Sequence, residues 1–301
     1  MSSMRICITF IFVCIIIILS AACDRQSSFD QKNSNVSPAT YHYDDLGELE
    51  VPIDYGLFCN EVCQEALTLQ APRESIDGKV GVIVSGTFPY GLGTKRMAQE
   101  AAEKYFPNMD VIIGNGESDP VLQSNIIDDM ISKKVDVIVI DLVEKDAVNP
   151  ALERAKEANI PIITIDRWTP VDVLTLIKAE DVEVGRKAGQ YVVTLLNGKG
   201  NVIEMKGTAA STTTIDRNEG ILEAFTGFPE IQILESVNAD FKEAEGRRIM
   251  DELLRRYPPG TIDALISHAD VMTMGAIDAI KAAGLEDEIV IVSVDGQATA
   301  L

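Results

Sequence analysis

The chain has 301 residues, of which 47 are acidic and 26 are basic, and its net charge is -21. This length accommodates two medium-sized domains, each with its own hydrophobic core. Because nucleic-acid binding needs clustered cations to neutralise phosphates, the acidic balance argues against a nucleic-acid partner.

The amino terminus has the pattern of an export signal over residues 1–22. Arg5 precedes an apolar run at residues 6–19, which is too short for a transmembrane helix, and small residues follow before Cys23. The pattern resembles a bacterial lipoprotein signal, so Cys23 is the predicted site of lipidation and of membrane anchoring. Ser20 stands where such signals usually carry leucine, so ordinary cleavage before Cys23 stays open.

Residues 23–78 are predicted to be a lipid-anchored tether and an N-terminal extension. The first part is rich in polar residues and poor in large apolar ones, as in flexible segments. Cys59 and Cys63 are the only cysteines outside the signal and its cleavage site, and an even pair in an exported protein favours a disulfide. Because their spacing is awkward for a bridge within a helix, we favour a disulfide in a short turn, with two free thiols as the alternative.

From residue 79 the sequence alternates between predicted strands and predicted helices. The first series has strands at 79–85, 109–114, 135–141 and 160–166, and helices at 93–105, 120–133 and 147–159. The second series has strands at 173–179, 201–206, 231–237, 264–267 and 289–294, and helices at 182–196, 215–225, 242–257 and 271–283. Such alternation predicts βαβ units with parallel strands.

The predicted fold class is therefore α/β, with two similar doubly wound parallel-sheet lobes and a ligand cleft between them. The first lobe is assigned to residues 79–172 and the second to residues 173–301. The last predicted strand is not followed by a helix, so we expect that the C-terminal part of the fold is missing from the chain.

The segment Ile-Pro-Ile-Ile-Thr-Ile-Asp-Arg, residues 160–167, is predicted to be a buried parallel strand that ends in two charged residues. Ligands bind at the carboxyl ends of strands in open α/β sheets, which is where Asp166 and Arg167 fall. A carboxylate beside a guanidinium offers acceptors and a fork of donors, which suits a polyhydroxylated ligand. An ion pair or a helix cap at a loop is the alternative.

Aromatic residues follow two other strands. Phe88 and Tyr90 come after the first strand, where their rings can stack on the apolar face of a sugar or pack at the interface of the lobes. Phe241 follows the strand at 231–237, where it can face the cleft or cover the core side of the next helix.

Three charged residues lie near strand ends of the second series. Arg217 falls near the start of a predicted helix, where the dipole disfavours a cation, and this misfit favours a role in ligand binding. Asp295 ends the last strand, where it can accept a hydrogen bond from a ligand hydroxyl. Asp270 is most simply the N-cap of the helix that begins at Val271.

Motifs for catalysis are absent from the sequence. It contains no phosphate-binding loop, and its only histidines, His42 and His268, leave no basis for a catalytic triad and too few ligands for a metal site. We therefore expect a binding protein that is not an enzyme and that holds neither a cofactor nor a metal.

The chain from about Lys79 onward resembles the type I periplasmic binding proteins of bacterial ABC importers, near those for ribose and galactofuranose. The matching motifs are Ile-Pro-Ile-Ile-Thr-Ile-Asp-Arg (160–167), Ile-Asp-Arg-Asn-Glu-Gly (215–220), Ala-Asp-Phe (239–241), Ser-His-Ala-Asp-Val-Met-Thr-Met-Gly-Ala (267–276) and Val-Asp-Gly (294–296). In that family a lobe-crossing segment, a helix and a strand follow the position of Asp295, which supports the expectation of a truncated fold.

The resemblance implies roles for individual residues. Asp166 and Arg167 would hold sugar hydroxyls from the first lobe, and Arg217 and Asp295 would do so from the second. Two further positions, Tyr90 and Phe241, match stacking aromatics of the family.

Two residues depart from the family pattern. Ala269 stands where an amide usually contacts the sugar, and Gly91 stands where a second aromatic is common. Both departures indicate a ligand other than ribose, or a shifted pose.

The function that the resemblance implies is that of a monomeric extracytoplasmic solute-binding protein, in the periplasm or at the cell surface. It would capture a monosaccharide or related polyol by hinge closure and deliver it to an ABC permease and its ATPase. The alternative is a sugar-sensing protein that presents its closed form to a chemoreceptor or a histidine kinase.

Overall fold

The computed structural model describes residues 77–296, which form two α/β lobes. The signal, Cys23, the tether, Cys59, Cys63 and residues 297–301 lie outside the described residues. No helix within residues 77–296 is long and apolar enough to cross a membrane. In the same range, no group of three or more His, Cys, Asp and Glu side chains is arranged to hold a metal ion.

The first lobe has five parallel strands in the order β2-β1-β3-β4-β5. Its elements are β1 (Asp77–Val84), α1 (Pro89–Tyr105), β2 (Asn108–Asn115), α2 (Pro120–Ser132), β3 (Val137–Asp141), α3 (Asn149–Glu157), β4 (Ile162–Ile165) and β5 (Thr175–Ile177).

The second lobe has four parallel strands in the order β7-β6-β8-β9. Its elements are α4 (Asp181–Leu195), β6 (Gly200–Lys206), α5 (Thr212–Phe225), β7 (Ile231–Asn238), α6 (Glu243–Arg256), β8 (Ala264–Ser267), α7 (Asp270–Ala282) and β9 (Val290–Ser293). The prediction of an α/β fold with two parallel-sheet lobes is confirmed.

The central strands are apolar on both faces because helices cover each sheet from both sides. Every residue of β3 and of β4 is buried. Ile138 and Ile140 join the core cluster on one face of the first sheet, whereas Val137 and Val139 join the cluster on the other face. This packing holds the carboxyl ends of the strands in place at one edge of each lobe.

Two helices begin three or four residues earlier than predicted. Helix α1 begins at Pro89 rather than Gly93, because a proline at the first helical position has the required φ and needs no hydrogen-bond acceptor for a missing N–H. Tyr90 and Gly91 therefore lie in a helix and not in a loop. The start of α5 at Thr212 places Arg217 in the second turn of that helix.

Two other expectations were wrong. The N-cap of α7 is Ala269, and Asp270 is the first helical residue, where a carboxylate is favourable to the helix dipole. The boundary between residues 172 and 173 falls before β5, but β5 pairs with β4 and so belongs to the first sheet. The chain then enters the second lobe through residues 178–180.

Helices α4 and α5 approach each other at glycines. A Cβ atom on Gly185 would lie 2.1 Å from the carbonyl oxygen of Arg217, and one on Gly220 would lie 1.9 Å from the carbonyl oxygen of Val182. Both distances are too short for any side chain, so the two helix backbones are in direct contact. This contact sets the position of the helix that carries Arg217.

We expect Gly220→Ala to lower the free energy of unfolding by at least about 1–3 kcal/mol, because the methyl group would force α4 and α5 apart. Urea denaturation measures this change. The control is Gly93→Ala in α1, where an added Cβ meets nothing within 4 Å and where alanine favours the helix by about 1 kcal/mol. Equal effects of the two substitutions would contradict the helix contact.

Candidate ligand-binding site

Side chains near the strand ends of the two lobes contact each other. The rings of Phe88 and Phe241 lie 6.4 Å apart between centroids, with an interplanar angle of 31°. The hydroxyl of Thr213, in the first turn of α5, donates to Asp166 Oδ2 over 3.2 Å. The Arg167 guanidinium lies 5.6 Å from the Phe241 ring centroid, within the range of a cation–π interaction.

Arg167 is buried and is held mainly by backbone carbonyls of the first lobe. Its Nη1 donates to the carbonyl oxygens of Leu142 and, over 3.3 Å, of Val143. Its Nε lies 3.4 Å from Asp166 Oδ2, an ion-pair distance, but has no hydrogen-bond partner in the described part of the chain. A buried donor without a partner indicates a place where another group can bind.

Asp141, the last residue of β3, is a fully buried carboxylate beside Arg167. Its Oδ2 accepts hydrogen bonds from the hydroxyl and the N–H of Ser85, whereas its Oδ1 lies 3.7 Å from Arg167 Nη1 without a hydrogen bond. Burial raises the pKa of Asp141 to about 6, and Asp166 adds to this rise while Arg167 opposes it. The carboxylate is therefore held at a cost to stability near neutral pH.

Arg217 is the corresponding cation of the second lobe. Its Nε donates to Asp181 Oδ1 over 3.0 Å, and its Nη1 donates to the carbonyl of His268 and lies 3.4 Å from Asp295 Oδ1. Lys178, in the segment that joins the lobes, pairs with Asp216 and with Asp181. Burial raises the pKa of Asp295 to about 6, although Arg217 lowers it in part.

Several of these residues have backbone conformations that side chains rarely adopt. The φ angles are 64° at Asp166, 54° at Phe241 and 113° at Asp295. Strained backbones of this kind cost on the order of 1–3 kcal/mol each and cluster at ligand sites. Three strained residues at one place support a functional role for it.

The structure brings six of the seven predicted ligand residues together. Phe88, Asp166, Arg167 and Phe241 meet through the contacts above, and Arg217 joins them through Thr213 and α5. Asp295 joins them through its ion pair with Arg217. Tyr90 lies in the first turn of α1 and is 36% exposed. Phe88 makes a ring contact with Phe241 across the lobes.

Of the two departures from the family pattern, the structure gives a local cause for the one at Gly91. A Cβ on Gly91 would lie 2.1 Å from the carbonyl oxygen of Gly86, so this position has no room for an aromatic side chain. Ala269 is buried, and its carbonyl accepts hydrogen bonds from Ser267 and Thr273.

Sequence reasoning missed Asp141, Asp181 and Thr213. Asp141 ends a buried strand in the same way as Asp166, so the rule that identified Asp166 also applies to it. Asp181 and Thr213 gave no such signal, because each reaches the site from a helix start whose orientation depends on the packing of α4 against α5.

The raised pKa of Asp141 predicts a pH-dependent effect of Asp141→Asn. The pKa of Asp141 is about 6 in the folded state, whereas the ordinary value of 3.8 applies to the unfolded state. The contribution of Asp141 to the free energy of unfolding is therefore fully present at low pH and decreases as the pH rises through 4 to 6. We expect the variant to be more stable than the native protein by up to about 3 kcal/mol at pH 7.5 and nearly equal to it at pH 4.

Urea denaturation at pH 4, 5.5 and 7.5 measures this difference. Asp287→Asn, at an exposed position, is the matched control and should change the free energy of unfolding by less than about 0.5 kcal/mol. A difference between native protein and Asp141→Asn that does not vary with pH would contradict the ionisation of a buried carboxylate.

Comparison with known proteins shows the family of this chain. A model of the periplasmic binding protein domain matches residues 81–301. The galactofuranose-binding protein of Escherichia coli strain K12 is 32% identical over 208 residues, which are 66% of this chain and 65% of that protein. The ribose import binding protein of the same organism is 30% identical over 209 residues, 69% of each chain.

Solved structures agree with these sequence matches. The fructose-binding periplasmic domain of a hybrid two-component system has a TM-score of 0.70 and 29% identity, with 73% of each chain covered. The binding protein of an arabinose ABC transporter from Shewanella sp. ANA-3 has a TM-score of 0.68 and 31% identity, with 72% of this chain and 74% of that chain covered. The similar proteins named above are binding proteins and not enzymes. The chain therefore belongs to the periplasmic binding protein family, as its motifs predicted.

Proposed function

We propose that the protein captures a monosaccharide or a related polyol outside the cytoplasm and delivers it to the permease and ATPase of an ABC importer. One observation carries the proposal: each lobe contributes a buried arginine with a neighbouring carboxylate, and the Phe241 ring lies beside one of them, Arg167. These pairs are Arg167 with Asp166 and Arg217 with Asp295.

The chemistry of this set suits sugar hydroxyls. Each hydroxyl donates one hydrogen bond and accepts others, so it pairs with a carboxylate oxygen and with a guanidinium N–H together. The faces of Phe88 and Phe241 can cover the apolar C–H surface of a sugar ring. The burial of a hydroxyl without a hydrogen-bond partner costs free energy, and this cost gives the site its selectivity.

Binding in this proposal is coupled to closure of the lobes. The contacts of Asp166 with Thr213 and of Phe88 with Phe241 join the lobes, and a sugar would enter by separating them about residues 178–180. A sugar favours the closed form only through contacts that are better in that form.

The ligands for which the similar proteins are named support a monosaccharide. They include ribose, galactofuranose and arabinofuranose. Because Ala269 lacks the amide of the family and Gly91 lacks the second aromatic, we propose a monosaccharide or polyol other than ribose.

A second candidate function is sugar sensing, with the closed form presented to a chemoreceptor or a histidine kinase. The similarity to the fructose-binding domain of a hybrid two-component system favours it. Genes for a permease and an ATPase next to this gene would favour import, and a neighbouring receptor gene would favour sensing.

The proposal predicts a ligand-dependent rise in melting temperature. We expect one compound in a panel of pentoses, hexoses and polyols to raise the melting temperature of the mature protein, because it binds only the folded state. Arg217→Lys keeps the charge but loses the fork of donors, and we expect it to weaken binding of that compound at least about 100-fold in calorimetry.

Arg256→Lys is the matched control, since Arg256 lies on α6 and pairs only with exposed or half-buried glutamates. Its affinity should equal that of the native protein. A folded protein that responds to no compound in the panel would argue for a different class of ligand, and native affinity in Arg217→Lys would remove Arg217 from the site.

We also propose that a lipid on Cys23 anchors the protein to the membrane. Cys23→Ala should then move the protein from the membrane fraction to the soluble extracytoplasmic fraction, or block its processing, because the acylated thiol is lost. Cys59→Ala is the control and should stay with the membrane. Unchanged membrane association of Cys23→Ala would contradict lipidation.

A further inference from the structure

A buried polar cluster lies in the second lobe beneath Arg217. Glu204 on β6 and His268 after β8 both have fully buried side chains, and His268 Nε2 lies 3.0 Å from Glu204 Oε1. The side-chain amide of Asn218 donates to the same oxygen over 2.8 Å, and the hydroxyl of Ser236 donates to the other. None of these four side chains has a part in the proposed contacts with a sugar.

The protonation states follow from the surroundings. Burial alone would raise the pKa of Glu204, but hydrogen bonds from His268, Ser236 and Asn218 outweigh it and lower the pKa. Burial lowers the pKa of His268, although Glu204 opposes this effect. The pair is therefore a carboxylate and a neutral imidazole, with the proton on Nε2, where it is donated to Glu204.

Two routes, each made of one hydrogen bond and the covalent chain of one residue, join this pair to Arg217. The backbone carbonyl of His268 accepts the hydrogen bond from Arg217 Nη1. Glu204 therefore contacts the side chain of the same residue whose carbonyl binds the guanidinium. Asn218, the other partner of Glu204 Oε1, is the residue next to Arg217 on α5. Glu204 is thus connected to Arg217 through His268, which accepts the hydrogen bond of the guanidinium, and through Asn218, which lies on the same helix as Arg217.

The same turn also supports Asp295. The N–H of Asp270 donates to the carbonyl of Val294 over 2.9 Å, and Asp295 follows directly. The N–H of His268 donates to the carbonyl of Met205 over 2.9 Å, which ties the turn to β6 beside Glu204. The Glu204 carboxylate therefore binds the ring of a turn whose backbone contacts both Arg217 and the strand end before Asp295.

We propose that Glu204 and His268 are positioning residues, which set the place of the Arg217 guanidinium and thereby the affinity of the site. A cluster that served stability alone would not need an ionised carboxylate, because an apolar pair of similar volume is often as stable as a buried charged one. The effect on affinity rests on the proposed function, but the effect on the Arg217 guanidinium does not.

Nuclear magnetic resonance of the sugar-free protein tests the proposal directly. The reporter is the Nε–H signal of Arg217, assigned by its loss in Arg217→Lys. Glu204→Gln places an amide where a carboxylate accepted three hydrogen bonds, and we expect it to shift this signal and to speed its hydrogen exchange roughly tenfold or more. His268→Gln retains an amide N–H that can reach Glu204, so we expect it to keep the native signal.

The control is Asp263→Ala at the opposite end of the same sheet. Asp263 accepts a hydrogen bond from the backbone N–H of Asn201 over 2.7 Å, so its loss weakens the lobe without touching Arg217. If Glu204→Gln fails to fold, Ser236→Ala removes one donor from the carboxylate and should change the Arg217 signal in the same direction by a smaller amount. A native Arg217 signal in the folded Glu204 variant, or in Ser236→Ala when that substitution is needed, overturns the proposal.

Calorimetry with D-fructose, L-arabinose and D-ribose measures the effect of each substitution on sugar affinity. For a sugar that the native protein binds, we expect Glu204→Gln to weaken binding roughly tenfold to a hundredfold, and Asp263→Ala to leave it nearly unchanged. Equal losses in Glu204→Gln and Asp263→Ala would mean a purely structural role and would overturn the proposal. Failure of the native protein to bind any of the three sugars would count against the proposed function alone, since the Arg217 signal decides the positioning role without a ligand.

Discussion

The burial of the Arg217 guanidinium is the constraint on which the second lobe depends. A buried cation is stable only with charged or polar partners on every side. Here the partners come from three separate segments: Asp181 at the start of α4, the carbonyl of His268 after β8, and Asp295 after β9. Their convergence requires α5 to lie close to α4, which the absence of a side chain at Gly185 allows.

Both lobes keep carboxylates at places where ionisation is unfavourable. Burial raises the pKa of Asp141 in the first lobe and of Asp295 in the second, each to about 6. Asp166, Phe241 and Asp295 add strained backbones to the same region. Features that lower stability and that gather at one interface are typical of a site arranged for a ligand, because the ligand supplies the missing partners.

The local sequence pattern predicted the structure correctly where a residue type has a single physical role. An apolar run that ends in two charged residues predicted β4 and led to Asp166 and Arg167. The same reasoning failed at Pro89, which lies outside the helix predicted at 93–105 although it begins α1. It also failed at β5, because three partly exposed residues do not indicate which sheet they join.

By itself the sequence determined the alternation of strands and helices, the parallel sheets and most of the residues that gather between the lobes. Those properties depend on burial and on chain order, which a linear pattern records. Only the tertiary structure decided that Phe88 meets Phe241, that Asp141 lies beside Arg167, and that Glu204 contacts His268. Each of these contacts joins residues far apart in the chain, and their distances depend on how helices and sheets pack.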